Sequence, residues 1–409
     1  DAVNPVRFVV AFALILTSCT IDAKSFIERL LEETREEWVG TWMTAVQVTE
    51  PGNLPPAPGL ARNTVRQVVH VSLGGDRLRA GFSNVFGTST VELVAANLAA
   101  SRGGGAIDPS TQVALSFDGS ASVVIQPGDE VISDPFSFPL QPLSDVAITI
   151  QFGALSSTII TGHPGSRTTS YIVRGDAVSD SVFASSIKTD HWYIISSLDV
   201  LRKDASAIVT LGNSITDGRG SGTNMQNRWP DELARRLQAD DRTKNVAVLN
   251  AGIGGNCVLR QCLGPSALNR FERDVLTPPG VRWLIILEGV NDIGGSGANA
   301  RIVAQDLIAA YEQMIVNAHA QDILVYGATI MPFGDSFYYS PGNEEARQTV
   351  NEWIRTSGAF DAVIDLDAAM RDPDNPIRMA AGLHDGDFLH PSELGHHEMA
   401  EAVDLTLFH

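Results

Sequence analysis

The chain has 409 residues, of which 44% are hydrophobic, enough apolar side chain for a core and too much for wholesale disorder. Its 29 basic and 48 acidic residues leave a formal net charge of −19. That balance lacks the basic face a nucleic-acid binder needs to neutralise phosphates, and it disfavours anionic membrane surfaces.

The chain begins with a segment of its own character. Arg7 is followed by the nine apolar residues Phe8–Leu16 and then Thr17-Ser18-Cys19. The run is too short to span a bilayer and fits a signal-peptide core; a buried strand or short helix is the alternative. Leu16-Thr17-Ser18-Cys19 also resembles a bacterial lipobox, in which Cys19 would carry a lipid anchor. Residues 21–37 read as an amphipathic helix or pro-segment, so 1–37 is set apart as signal and pro-segment. The expected location is secreted, with anchoring through Cys19 as the minor alternative. The only other cysteines, Cys257 and Cys262, lack the number and spacing of a zinc site. They are a local disulfide in a secreted protein or two free thiols in an intracellular one.

Residues 38–200 favour strands. Val65–Ser72, Asp76–Ser83, Asp145–Phe152 and Thr168–Val173 carry apolar/polar alternation, punctuated by Gly, Pro, Ser and Asp. The pattern predicts an all-β domain of sandwich or jelly-roll type. Within it, His163, Ser166, Arg167 and Tyr171 lie in a polar stretch that reads as a solvated hairpin or as a segment reaching toward a site.

Residues 201–409 change period. Strands are predicted at 207–211, 246–249, 282–287, 323–326 and 362–366. Helices are predicted near 230–239, 268–276, 299–320, 343–357 and 393–407. Strands alternating with helices predict a parallel sheet covered on both faces, with sites at the carboxyl ends of its strands.

Chemistry-bearing residues collect at those ends. The first strand runs into Gly212-Asn213-Ser214-Ile-Thr-Asp-Gly218. A Ser there can present its hydroxyl at the sheet edge, or simply cap a turn. It is not a Gly-x-Ser-x-Gly elbow, which occurs nowhere in the chain. The second strand ends at Asn250-Ala-Gly-Ile-Gly-Gly-Asn256, whose glycines let backbone N–H groups approach a ligand. A dinucleotide fingerprint fails there because Cys257 stands where Gly is required. The third strand leads to Leu287-Glu-Gly-Val-Asn291-Asp-Ile293, where the Asn291 amide can donate to an oxyanion or form an Asx-turn. Near the end comes Asp385-Gly-Asp387-Phe-Leu-His390-Pro-Ser392. Asp387 can orient the His390 imidazole, or His390 is a surface residue before a Pro-started helix.

The order Ser, Gly, Asn, then Asp-x-x-His-Pro resembles the SGNH (GDSL) hydrolase superfamily, with its blocks spread over residues 208–396. Trp38-Val-Gly-Thr-Trp42, Asn53-Leu-Pro-Pro, His163–Tyr171 and Asn227-Arg-Trp-Pro230 are similar to secreted microbial members with an N-terminal β domain. The resemblance implies a flavodoxin-like three-layer α/β/α domain preceded by the all-β domain. It implies a serine-dependent carboxylic ester hydrolase that forms an acyl-enzyme on Ser214. His390 would be the general base and Asp387 its orienting acid. The Ser214 N–H, the Gly255 N–H and the Asn291 amide would form the oxyanion hole, with Gly254 the one-residue alternative to Gly255. Short-acyl esters, including acetylated carbohydrates, are the implied substrates. No metal, organic cofactor, nucleic acid or obligatory protein partner is implied. The chain departs from the usual Gly-Asp-Ser by carrying Asn213, which keeps the shape and loses the charge. The expected consequence lies in pKa tuning near the hole.

Rival readings remain. Asp385, Asp387, His390, His396 and His397 offer metal-ligand chemistry, but His397-Glu-Met-Ala-Glu401 does not complete His-Glu-x-x-His. Asp385 competes with Asp387 but lies five residues from His390. A lipase-like long-chain acylhydrolase, an acyltransferase and a non-catalytic glycan-binding protein are the functional alternatives.

Overall fold

The computed structural model describes residues 37–409. The apolar run at 8–16, Cys19 and residues 21–36 lie outside the described residues. Two antiparallel sheets dominate up to Arg202. One orders the strands Glu37–Met43, Ile195–Arg202, Gly75–Ser83 and Glu130–Ile132, with Phe136–Leu140 also on Gly75–Ser83. The other orders Ile187–Thr189, Ser170–Arg174, Asn63–His70, Asp145–Phe152, Val91–Ala100 and Val113–Ala114, with Val123–Ile125 beside Val91–Ala100. A small third sheet joins Trp192–Tyr193, Thr161–His163 and Gln47–Val48. The strand Asp145–Phe152 is buried almost throughout. Ile148 and Ile150 face the main core, while Ala147 lies under a second cluster with Val68, Ala99, Tyr171 and Phe183. This is the all-β domain that the alternation implied.

The second part is a parallel sheet in the order Val246–Gly252, Ser206–Gly212, Val281–Leu287, Leu324–Ala328, Ala362–Ile364. Numbered along the chain, that order is 2-1-3-4-5, the flavodoxin-like arrangement. Its strands are nearly continuous apolar runs because helices flank the sheet. The helices Trp229–Ala239 and Glu393–Glu401 pack on one another, as do Ala300–His319 and Pro341–Thr356. Ser340 caps the latter through Asn343 N–H, with Pro341 in the first turn where its missing N–H is harmless.

The two parts share one contiguous hydrophobic core, from Trp42, Ile195 and Leu198 into Val209 and Leu249. The strand Val246–Gly252 is an edge of the parallel sheet, and an open edge invites pairing with other chains. The β domain covers it. Ser72 Oγ accepts the N–H of Val248 at 3.0 Å and donates to Thr41 O at 2.9 Å. Arg202 Nη2 donates to Asn245 Oδ1 at 2.7 Å.

Some element ends differ from expectation for local reasons. The last predicted helix stops at Glu401, and a 3-10 turn capped by Asp404 follows at Leu405–Phe408. The last strand stops at Ile364, because the Asp365 side chain accepts Ala368 N–H and starts the helix Leu366–Met370. The helix near 268–276 is Ala267–Phe271 continued by a π-turn, Glu272–Leu276. Cys257 and Cys262 form a disulfide, the first of their two alternatives.

His396 joins the last helix to the loop behind Ser214. Its Nδ1 accepts Trp229 N–H at 3.1 Å and its Nε2 donates to Arg219 O at 3.0 Å. Burial is the main cause that pushes its pKa down to about 4. The folded protein therefore keeps His396 neutral while the unfolded chain protonates near pH 6.5. As pH falls from about 6.5 to 4, the unfolded state binds the extra proton and stability drops, by on the order of 3 kcal/mol from this residue. Melting temperatures at pH 7 and 4.5 are expected to differ less in His396→Gln than in the wild type. An equal difference would contradict this role.

Candidate active site

The strand Ser206–Gly212 hands the chain to a single helical turn, Ser214–Asp217. Asn213 is extended and its Oδ1 accepts Ile215 N–H at 3.1 Å, which starts the turn. Ser214 is the first residue of the turn, so its N–H belongs to the donors that have no partner inside the helix. The loop before the last helix is closed by Asp385 N–H to His390 O at 2.9 Å and Ser392 N–H to Leu383 O at 2.9 Å. It brings His390 Nε2 to 2.8 Å from Ser214 Oγ. On the other side of the ring, Nδ1 lies 2.6 Å from Asp387 Oδ2. Asp387 Oδ1 accepts the backbone N–H groups of Leu389 and His390, both at 2.8 Å.

These contacts set the protons. Burial raises the Asp387 pKa, but the His390 backbone and ring and the Leu389 N–H pull it well below the usual carboxylate range. Asp387 is therefore an acceptor, Nδ1 of His390 carries a hydrogen, and Nε2 is left to accept the Ser214 hydroxyl proton. Asp385 does not reach the imidazole. It accepts Asp387 N–H at 3.3 Å and faces Arg219 Nε at 3.9 Å. Its own pKa is raised by burial and by the neighbouring Asp387 carboxylate.

The other sequence-predicted residues lie past the ends of the two flanking strands, Val246–Gly252 and Val281–Leu287. Gly255 has φ +67°, a conformation glycine adopts without strain, and a Cβ there would lie 2.8 Å from Leu263 Cδ1. Asn291 is buried in the turn Val290–Gly294. Its Nδ2 donates to Asn256 O at 2.7 Å, and its Oδ1 accepts the Tyr338 hydroxyl at 2.9 Å. One amide hydrogen remains for a third oxygen. Tyr338 was not singled out by the sequence reading. Its signal was the aromatic run Phe337-Tyr338-Tyr339 past the fourth parallel strand.

Position 213 finds its explanation in Glu288, which the sequence reading also passed over. Asn213 Nδ2 donates to Glu288 Oε2 at 3.2 Å, and Gly289 N–H donates to the same oxygen at 3.1 Å. Arg270 Nη2 stands 3.7 Å from Oε1 and also donates to Gly212 O at 3.0 Å. Burial pushes the Glu288 pKa up to about 8 despite Arg270. An aspartate at 213 would set a second carboxylate against this buried acid, whereas the Asn213 amide donates to it. The signal was a carboxylate directly after the apolar run Trp283–Leu287.

The polar stretch at 163–171 is largely buried, not a solvated hairpin. His163 Nε2 lies 2.8 Å from Asp217 Oδ1, three residues past Ser214. Ser166 Oγ donates to Thr168 O at 2.8 Å, and Arg167 O accepts Asn224 N–H at 2.9 Å. Tyr171 packs in the outer cluster of the β domain with Ala99 and Phe183. The five-residue metal cluster does not assemble. Ligand atoms of Asp385, Asp387 and His390 come within 4.8 Å of one another. His390, however, has both nitrogens engaged, His396 is bonded to Trp229 and Arg219, and His397 faces Glu232 at 3.5 Å.

Residues 210–398 match the GDSL-like lipase/acylhydrolase family. No curated protein matches the chain. Among solved structures, similarity is found to a protein described as lipolytic and of the G-D-S-L family from Desulfitobacterium hafniense. It shares 22% identity over 48% of this chain and 97% of that one, with a TM-score of 0.37. An acetyl xylan esterase shares 21% identity over 48% of this chain and 96% of its own, with a TM-score of 0.36. An acetylxylan esterase from Geobacillus stearothermophilus shares 20% identity over 49% and 94%, with a TM-score of 0.37. Residues 210–398 thus form a GDSL-like lipase/acylhydrolase domain, the kind of domain found in ester hydrolases.

Proposed function

We propose that the protein hydrolyses short-acyl esters of neutral alcohols, with acetylated carbohydrates as the favoured class, through an acyl-enzyme on Ser214. The observation that carries this is the unbroken chain Ser214 Oγ, His390 Nε2, His390 Nδ1, Asp387 Oδ2, with links of 2.8 and 2.6 Å. A serine hydroxyl is a weak nucleophile until a base takes its proton. His390 takes it as Oγ attacks the ester carbonyl, and Asp387 steadies the resulting imidazolium. Negative charge then develops on the carbonyl oxygen. The N–H groups of Ser214 and Gly255 and the free amide hydrogen of Asn291 receive it, each such donor being worth roughly 3–4 kcal/mol in the transition state. His390 returns the proton to the departing alcohol. Water, activated by the same imidazole, releases the acid and restores Ser214.

Two features favour a neutral carbohydrate alcohol. The net charge of −19 repels anionic substrates. Phe337 is 73% exposed and its ring lies 4.5 Å from that of Tyr338, whose hydroxyl holds Asn291. An exposed aromatic face beside the oxyanion donors suits the apolar face of a sugar ring. The Cys257–Cys262 disulfide supports a secreted location, since such bonds persist in oxidising surroundings.

Hydrolysis of p-nitrophenyl esters from C2 to C16 is expected to peak at short acyl chains. Ser214→Ala is expected to lower kcat by on the order of 10⁴ or more without unfolding the protein. A long-chain peak would replace the short-acyl reading with a lipase-like one, and undiminished turnover in Ser214→Ala would end the assignment. A second comparison separates the two aspartates. Asp387→Ala is expected to lower kcat by on the order of 10²–10⁴, and Asp385→Ala to change it little. The reverse ranking would make Asp385 the orienting acid.

A further inference from the structure

The turn that bears Ser214 is held from two sides. Within the α/β domain, Asp217 N–H donates to Asn213 O at 2.8 Å. The Asp217 side chain reaches the other way, into the β domain. Its Oδ1 lies 2.8 Å from Nε2 of His163, a residue of the strand Thr161–His163. The Nδ1 of that ring lies 2.9 Å from Ala45 O. Both ring nitrogens face oxygen atoms, so the line Ala45–His163–Asp217 is closed only when two protons occupy it. The pair is deeply buried, with His163 4% and Asp217 2% exposed. The ring also stacks on Trp192, with centroids 5.9 Å apart.

The approach of the two domains is close here. A Cβ on residue 165 would fall 1.9 Å from Asp217 Oδ2, so only glycine fits. The residues beyond His163 bind the loop that follows the nucleophile turn. Arg228 Nη2 donates to Ser166 O at 2.9 Å, and Thr169 N–H donates to Asn224 Oδ1 at 2.8 Å. Burying two ionisable side chains carries a desolvation penalty that an apolar interface avoids. The site of that penalty is one helical turn from the reacting hydroxyl.

We propose that His163 is a positioning residue for the esterase reaction, fixing the Ser214 turn through Asp217 and making the β domain part of the catalytic unit. The inference rests on Ser214 being the nucleophile. Without His163, Asp217 is left buried and unpaired, and the turn resettles around it. Oγ then shifts relative to His390 Nε2, and a misplacement of about 1 Å at a reacting atom lowers rate by about 10²-fold.

The test uses the full chain, p-nitrophenyl acetate, and the variants His163→Leu and His163→Gln, with Ser214→Ala as reference. His163→Leu keeps apolar bulk and loses the donor to Asp217, whereas the Gln amide can supply it. His163→Leu is expected to show a kcat lowered by roughly 10–100-fold, KM within a few-fold of wild type, and a folded circular dichroism spectrum at the assay temperature. His163→Gln is expected to regain most of the loss. A folded His163→Leu with wild-type kcat would overturn the proposal, and so would equal kcat losses in Leu and Gln that merely track their folded fractions. Should His163→Leu not fold, His163→Gln is compared with His163→Asn, whose shorter amide does not reach Asp217; equal kcat in both would overturn it. Activity surviving in Ser214→Ala would remove the nucleophile assignment itself, and this inference with it. Ser214-dependent activity that is indifferent to His163 would remove only the inference.

Discussion

The hydrogen bond from Ser214 Oγ to His390 Nε2 joins residues 176 positions apart in the chain. Neither residue can reach the other unless the parallel sheet is complete. The strand Ser206–Gly212 must end where the Ser214 turn begins, and the last helix must seat the loop that carries His390. His396 fixes that helix by accepting Trp229 N–H and donating to Arg219 O, in the segment that follows the Ser214 turn. Asp387 fixes the imidazole through three acceptor contacts, two of them to backbone of the loop itself. Preorganisation of this kind places the reacting groups before substrate arrives.

Beneath the site lies a polar layer that most proteins would avoid burying. Arg270 is fully buried, yet its donors reach Gly212 O, Ala251 O, Asn256 Oδ1 and Asp274 Oδ2. Gly212 and Ala251 lie at the ends of the first two parallel strands, Asn256 lies in the turn beside Gly255, and Asp274 lies in the π-turn Glu272–Leu276. One side chain thus ties together the backbone on either side of Ser214 and Gly255. Glu288, held nearly neutral by burial, is placed where Asn213 can donate to it. The β domain adds a second constraint by covering the sheet edge at Val248 through Ser72.

The α/β half was legible in the sequence because its strands are buried on both faces and alternate with helices. The runs Ala207–Leu211 and Arg282–Leu287 are short, apolar and separated by helical stretches. The site was legible for the same reason: its residues sit just past those runs, where the chain must leave the sheet. The β domain was less so. Strands such as Glu37–Met43 and Ile195–Arg202 bury residues on both faces at a domain interface, which erases the alternation that marks a half-exposed strand. Long-range pairing hid the support of the site. His163 and Asp217 are 54 positions apart, and Tyr338 and Asn291 are 47 apart. No local spacing links such pairs; only tertiary packing brings them together. Position 213 looked like a loss of charge because its partner, Glu288, is 75 residues away.

The proposed reaction depends on activation of the Ser214 hydroxyl by His390. The most direct measurement is covalent capture of that nucleophile. The wild type and His390→Ala are incubated with a fluorophosphonate, digested and mapped by mass spectrometry. One phosphonyl adduct per chain is expected, on Ser214, formed rapidly in the wild type and barely in His390→Ala. An adduct on another residue, or labelling of Ser214 at the same rate without His390, would contradict it.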